Sequence, residues 1–130
     1  MEKGRLVVQN KSKGQVEAEI SAALIAFEKE HMGRGPSDVR SHLIEDMVLI
    51  RLKGVLTPAE KHLAKDGDGI QLIKKIRAKL LENSSKILGE VIMKITGIPS
   101  VSFHTDISTE AGERVIVITF EQDVEKKFSS

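Results

Sequence analysis

His104 and Asp106 stand two residues apart in a stretch whose apolar and polar residues alternate, Val101 to Ser108. In an extended strand, side chains two apart leave the same face, so an imidazole and a carboxylate could meet there. A carboxylate that orients an imidazole is a standard component of acid/base and metal sites. The favoured reading is plainer: a solvated polar face, with both residues bonding water or the neighbouring Ser102 and Ser108. His42 occupies a similar strand-like run, and if the two runs approached each other the histidines could share a metal ion. Arg51 and Arg34 complete the candidate ligand-binding group, and neither a metal nor a cofactor is identified by these residues.

Other motifs carry less. Gly33-Arg34-Gly35-Pro36 could offer backbone amides and a guanidinium to an anion. It follows a helical pattern, where the dipole has the wrong sign for phosphate, so a helix-stopping turn is favoured. Asp66-Gly67-Asp68-Gly69 resembles the opening of a calcium loop, but Arg77 stands where the closing glutamate belongs, and the segment reads as a linker. Lys74, Lys75, Arg77 and Lys79 crowd the start of a long helical pattern. Such a run is ordinarily a solvated helix face; the alternative is docking on an acidic partner or lipid headgroups. No glycine-rich phosphate loop precedes a helix and no activated serine arrangement is visible, which favours a non-catalytic protein over an enzyme.

The elements that must position these residues are readable from spacing. Ser12 and Gln15 form a capping-box pattern before Val16, Ile20, Leu24 and Phe27, predicting a helix that ends near Gly33. Val39 to Ile44 and Met47 to Leu52 predict a hairpin turning at Glu45-Asp46. The second of these strands is apolar on both faces and should lie centrally or at an interface. Thr57-Pro58-Ala59-Glu60 is a strong helix start, giving a short helix to about Ala64. A longer helix is expected from about Ile70 to Thr96, with the stripe Ile73, Ile76, Leu80, Ile87, Val91 and Ile95 flanked by Leu81, Leu88 and Ile92. It is overlong for a small domain, so it either bends near Asn83-Ser84-Ser85 or packs on another subunit. Val101, Phe103, Thr105 and Ile107 should share one face of a strand that pairs with the run from Arg114 to Phe120.

A helix running into Gly33-Arg34-Gly35-Pro36-Ser37 and a helix running into Thr96-Gly97-Ile98-Pro99-Ser100, each followed by two strand-like runs, suggest an internal repeat. The expected fold is α+β: two α-β-β units, residues 12–54 and 70–121, form a four-stranded, mainly antiparallel sheet with the helices on one face. Residues 55–69 connect the units, residues 1–11 are an arm or edge strand, and residues 122–130 are a frayed tail. A chain of 130 residues suits one such domain. Twenty basic against nineteen acidic side chains, four Phe and no Tyr or Trp argue against nucleic acid, which wants positive charge and stacking platforms. The absence of cysteine fits a reducing interior. No signal-peptide pattern or spanning-length apolar run is present, so membrane contact should be peripheral.

Three segments together resemble a bacterial family named after the MpsC component of the sodium-translocating membrane-potential-generating system. They are Gly33-Arg34-Gly35-Pro36, the run Met47 to Lys61, and His104 to Thr109 with Gly112 to Val117. The likeness covers roughly residues 12–120. It implies a small cytoplasmic accessory, peripheral to the inner face of the membrane and associated with machinery that moves cations or supports bicarbonate supply. It carries over no catalytic residues. The expected function is therefore a non-catalytic accessory or regulatory subunit, working as a homodimer because the second and fourth strands carry surplus apolar surface and the second long helix is overlong. The alternatives are a small-ligand or metal sensor built around His42, Arg51, His104 and Asp106, or an enzyme using His104 and Asp106.

Overall fold

The structure, a computed structural model, describes residues 11–129. Helix α1 spans Lys13–His31 and begins with the full capping box, the Ser12 side chain accepting from the Gln15 N–H and Gln15 accepting from the Ser12 N–H. Strands β1 (Asp38–Ile44) and β2 (Met47–Lys53) follow, joined by the two-residue turn Glu45-Asp46, with Ile44 opposite Met47. Thr57 and Glu60 cap α2 (Pro58–Leu63) in the same reciprocal way. Helix α3 spans Gly67–Thr96, β3 Ser100–Ser108, β4 Glu113–Phe120 and α4 Val124–Phe128. Both long helices stop at glycines in the left-handed region, Gly33 at φ 82° and Gly97 at φ 72°, where a side chain would be strained.

The strands form one antiparallel sheet in the order β1-β2-β4-β3. β2 and β4 are therefore central, which is why β2 needs apolar residues on both sides. The fold is α+β, as expected, with α1 and α3 over one face. On that face Leu43, Val48, Ile50, Leu52, Ile116 and Ile118 are buried against Ile20, Leu24, Leu88 and Ile92 of the helices. Each such aliphatic side chain contributes roughly 1.5–3 kcal/mol when fully buried. Among the described residues no helix is long and apolar enough to cross a membrane. The arm or edge strand expected over residues 1–11 lies, apart from Lys11, outside the described residues.

Several expectations are corrected. Helix α3 starts at Gly67 rather than Ile70, because Asp66 is its cap and accepts from the Gly69 N–H at 2.7 Å. It runs unbroken through Asn83-Ser84-Ser85. Its buried line is Ile73, Arg77, Leu81, Ser84, Leu88, Ile92 and Thr96, while Ile76 and Ile87 are 46% and 47% exposed. The apolar arc of the sequence is wider than the contact, and the core takes one flank of it. Val101 does not join the Phe103 face: a bulge between Ser100 and Ser102 leaves it 64% exposed. The tail is not frayed through residue 128, since Val124 and Phe128 enter the core and the Lys127 ammonium donates to the Thr96 carbonyl at 2.7 Å.

That docking gives a direct test. Phe128→Ala should lower unfolding stability by about 3 kcal/mol, as truncation of a buried aromatic does. Urea unfolding followed by circular dichroism measures it, and a frayed tail would show no change.

Candidate functional site

The face of the sheet turned away from α1 and α3 carries most of the candidate residues. The register aligns His42, Leu49, Val117 and His104 in one row across all four strands. The row beside it holds Arg40, Arg51, Val115 and Asp106. Both histidines are thus on the same face but on opposite edges, separated by three interstrand spacings or roughly 14 Å. They cannot share one ion, so the two-histidine metal site is not formed. Among the described residues there is no group of three or more His, Cys, Asp or Glu able to hold a metal.

Nor do His104 and Asp106 form an oriented pair. The His104 Nε2 lies 3.1 Å from the Ser102 hydroxyl, while Asp106 accepts from the Ile107 N–H at 2.8 Å and faces the Lys74 ammonium at 3.6 Å. Both side chains are exposed. Arg51 is paired with Glu113 across the β2–β4 ladder, and Arg34 donates from Nε to the Gly54 carbonyl at 3.2 Å, pinning its turn to the end of β2. Five nominated ligand-binding residues are therefore spread over an open sheet face and a turn. At the centre of that face Met47, Leu49, Val115 and Val117 are half-buried, and Ile44 is exposed at its margin. It is an apolar strip between charged and imidazole-bearing edges.

The basic helix start divides. Lys75 and Lys79 are exposed, Lys74 is partly covered, and Arg77 is 3% exposed and faces the interior. Arg77 is corrected from a docking residue to a core residue. The reason is helical phase: it lies four residues after Ile73 and four before Leu81, on the buried line. Its Nε and Nη2 donate to the two Glu60 carboxylate oxygens at 2.8 and 2.7 Å, and Nη2 also donates to the Val55 carbonyl at 2.7 Å. This bidentate clamp fixes α2 and the 55–57 segment onto α3.

Arg77 belongs to a buried ionic cluster. Glu28 is fully buried and accepts from Arg114 Nη1 at 2.8 Å on Oε2, with Arg77 Nη1 at 3.6 Å from Oε1. The latter two atoms have no hydrogen-bond partner within the chain. Arg114, 1% exposed, also donates from Nε to the Thr105 hydroxyl at 3.0 Å. Two carboxylates and two guanidinia thus cancel in charge across α1, α2, α3 and β4. Burial pushes the Glu28 carboxyl above its ordinary value against the pull of Arg114 and Arg77. The same burial lowers Arg114, opposed chiefly by Glu28, yet an arginine keeps its proton in a protein. At Glu60 burial also pushes upward, but the Arg77 hydrogen bonds and the Thr57 N–H outweigh it and hold the carboxyl below the ordinary value. Beside the cluster, Lys74, Arg77, Thr105, Asp106 and Arg114 line a cleft of about 210 Å³ between α3 and β3.

Sequence reasoning missed this cluster, although a signal was present. Glu28 is in phase with Val16, Ile20 and Leu24, Arg77 with Ile73 and Leu81, and Arg114 alternates with Ile116, Ile118 and Phe120. Three charges that each sit on an apolar face need partners, and the partners are one another.

Two outcomes follow from the cluster. Glu28→Gln leaves Arg114 and Arg77 without their shared counter-charge and should cost about 3 kcal/mol in urea unfolding at pH 7. Glu60→Gln keeps the capping geometry but loses the charge on Arg77, costing about 2 kcal/mol at pH 7. Because the folded Glu60 carboxyl is depressed, its contribution is present above the unfolded value and is lost as pH falls through the folded one. The gap between wild type and Glu60→Gln should therefore close on acidification below pH of about 4.

The match to known proteins follows the whole of this framework. Residues 12–122 match the family described as Na+-translocating membrane potential-generating system (MpsC). The chain is 43% identical over 116 residues to the uncharacterized protein YbcI of Bacillus subtilis (strain 168), covering 89% of this chain and 94% of that one. A second relative from the same organism, the uncharacterized protein YrhF, is 26% identical over 100 residues, 76% of this chain and 82% of its own length. No solved structure matches. The matched span begins at the Ser12 cap and ends just after β4, taking in Glu28, Glu60, Arg77 and Arg114, and on that span the chain belongs to the MpsC family.

Proposed function

We propose that this protein is a non-catalytic accessory or regulatory subunit of a membrane cation or bicarbonate transport system, acting in the cytoplasm as a homodimer peripheral to the inner face of the membrane. The observation that carries the reading is the open sheet face. Its centre is apolar, its rim is charged, and among the described residues no oriented acid/base pair or metal constellation stands on it. A surface of that kind binds another protein rather than transforming a substrate. The charged groups that could have done chemistry are sealed inside, where Glu28 and Glu60 are committed to Arg114 and Arg77. The family description, which names a membrane-potential-generating system, supplies the class of partner. The occupant we assign to the face is a cytoplasmic segment of a membrane subunit, its apolar residues over Leu49 and Val117. Lys75 and Lys79, exposed on α3, remain the docking lysines of this reading.

A small-anion sensor is the second reading, favoured by the cleft that Lys74, Thr105 and Asp106 line beside the paired Arg77 and Arg114. It replaces the histidine-centred sensor, whose residues lie too far apart. Bicarbonate or phosphate should then raise the melting temperature of wild type but not of Lys74→Ala.

The accessory reading is tested by affinity capture of the tagged chain from gently solubilised source cells. A cation- or bicarbonate-transport membrane subunit should be recovered with wild type and lost with Leu49→Asp/Val117→Asp. Both positions are half-buried on the open face, so circular dichroism of the variant checks that the fold survives. Equal recovery with wild type and variant removes the open face from the proposal; recovery of no transport subunit removes the accessory role.

A further inference from the structure

Helix α3 presents a second apolar line to solvent. Leu72, Ile76 and Ile87 are 46%, 46% and 47% exposed, and Leu80, Val91 and Ile95 continue the line half-buried. Along a 30-residue helix, about 45 Å long, these side chains at helical spacing form a seam whose Leu72, Ile76 and Ile87 are left about half exposed by the described residues. The helix runs unbroken beneath them.

The order of residues along the seam identifies its occupant. Leu72 and Ile95 are equidistant from a midpoint between Asn83 and Ser84, and so are Ile76 and Val91, and Leu80 and Ile87. A two-fold axis requires this pattern, because residue i must face j while j faces i. A partner of different sequence does not. One flanking charge pair follows the same midpoint. Glu82 of one antiparallel copy falls opposite Lys86 of the other, within about one helical residue of exact reflection. Both are exposed in the isolated chain. At the crossing point Asn83, exposed in the isolated chain, sets an amide beside the axis, which fixes register as a buried asparagine does in coiled coils.

We infer that a second copy of this chain packs antiparallel on α3, through the line Leu72, Ile76, Leu80, Ile87, Val91 and Ile95, with its axis at Asn83-Ser84. This assignment rests on the homodimer proposed above and adds its surface. It leaves the open sheet face free for a different partner, since α3 lies over the other side of the sheet.

The chain has no cysteine, so introduced thiols report only the geometry being tested. The experiment is light scattering of the full chain together with oxidative cross-linking. Wild type should have the mass of a dimer. Ile76→Lys/Ile87→Lys should raise the dimer dissociation constant by about 100-fold or more while leaving the far-ultraviolet spectrum unchanged, because both sites are solvent-exposed in the monomer. Ile76→Cys/Val91→Cys should give a covalent dimer on oxidation, and Ile76→Cys alone should not. A monomeric wild type overturns the homodimer itself. A dimer that withstands the double lysine variant and resists cross-linking overturns only the α3 assignment and places the interface elsewhere. Cross-linking by Ile76→Cys alone overturns the antiparallel orientation.

Discussion

The burial of Glu28 is the constraint on which the rest of the arrangement depends. A carboxylate cannot be left in an apolar core without counter-charge, so α1 can seat its Val16–Phe27 face only where Arg114 from β4 and Arg77 from α3 reach the same point. Arg77 in turn holds Glu60, and with it the short helix α2 and the chain linking the two hairpins. One carboxylate therefore ties together the helical layer, a central strand and the connection. Such an ion pair contributes little net stability relative to apolar packing of the same volume. What it adds is position, because a shifted helix or strand would strand a charge.

Pairing β2 with β4 creates the second determining feature. Two hairpins joined by their inner strands give a sheet with one face under α1 and α3 and the other face open among the described residues. The covered face has to be aliphatic, since the chain has four Phe and no Tyr or Trp. The open face mixes Leu49, Val115 and Val117 with edge charges and imidazoles. The molecule thus buries its most tightly paired charges and leaves an apolar strip exposed on the open face. The exposed seam on α3 is a separate surface on the opposite layer.

Legibility in the sequence followed the range of the interactions. The Ser12–Gln15 and Thr57–Glu60 boxes, the Gly33 and Gly97 stops and the Glu45-Asp46 turn were readable because each depends on residues within four positions of one another. The alternation in β3 and β4 was equally plain, except at Val101, where a bulge inserted a residue that no periodicity announces. The candidate site was legible in its residue types but not in its geometry. His42 and His104 share a face as alternation requires, yet the order β1-β2-β4-β3 sends them to opposite edges. Arg77 looked like one of four surface cations because its neighbours at 74, 75 and 79 are charged; only its phase with Ile73 and Leu81 betrayed it.

By itself, then, the sequence determined the three helices before β3, the four strands, the central place of β2 and the α+β class, since local hydrogen-bonding chemistry and side-chain period settle those. The tertiary structure decided which flank of the broad apolar arc on α3 is buried, where the segment after Phe120 docks, and that Glu28, Arg77 and Arg114 are partners. These are contacts between residues far apart in the chain. An apolar stripe states that a surface must be covered without naming its cover, and a charge on such a stripe states that a partner must exist without naming it. Only the packing of one element against another supplies both names.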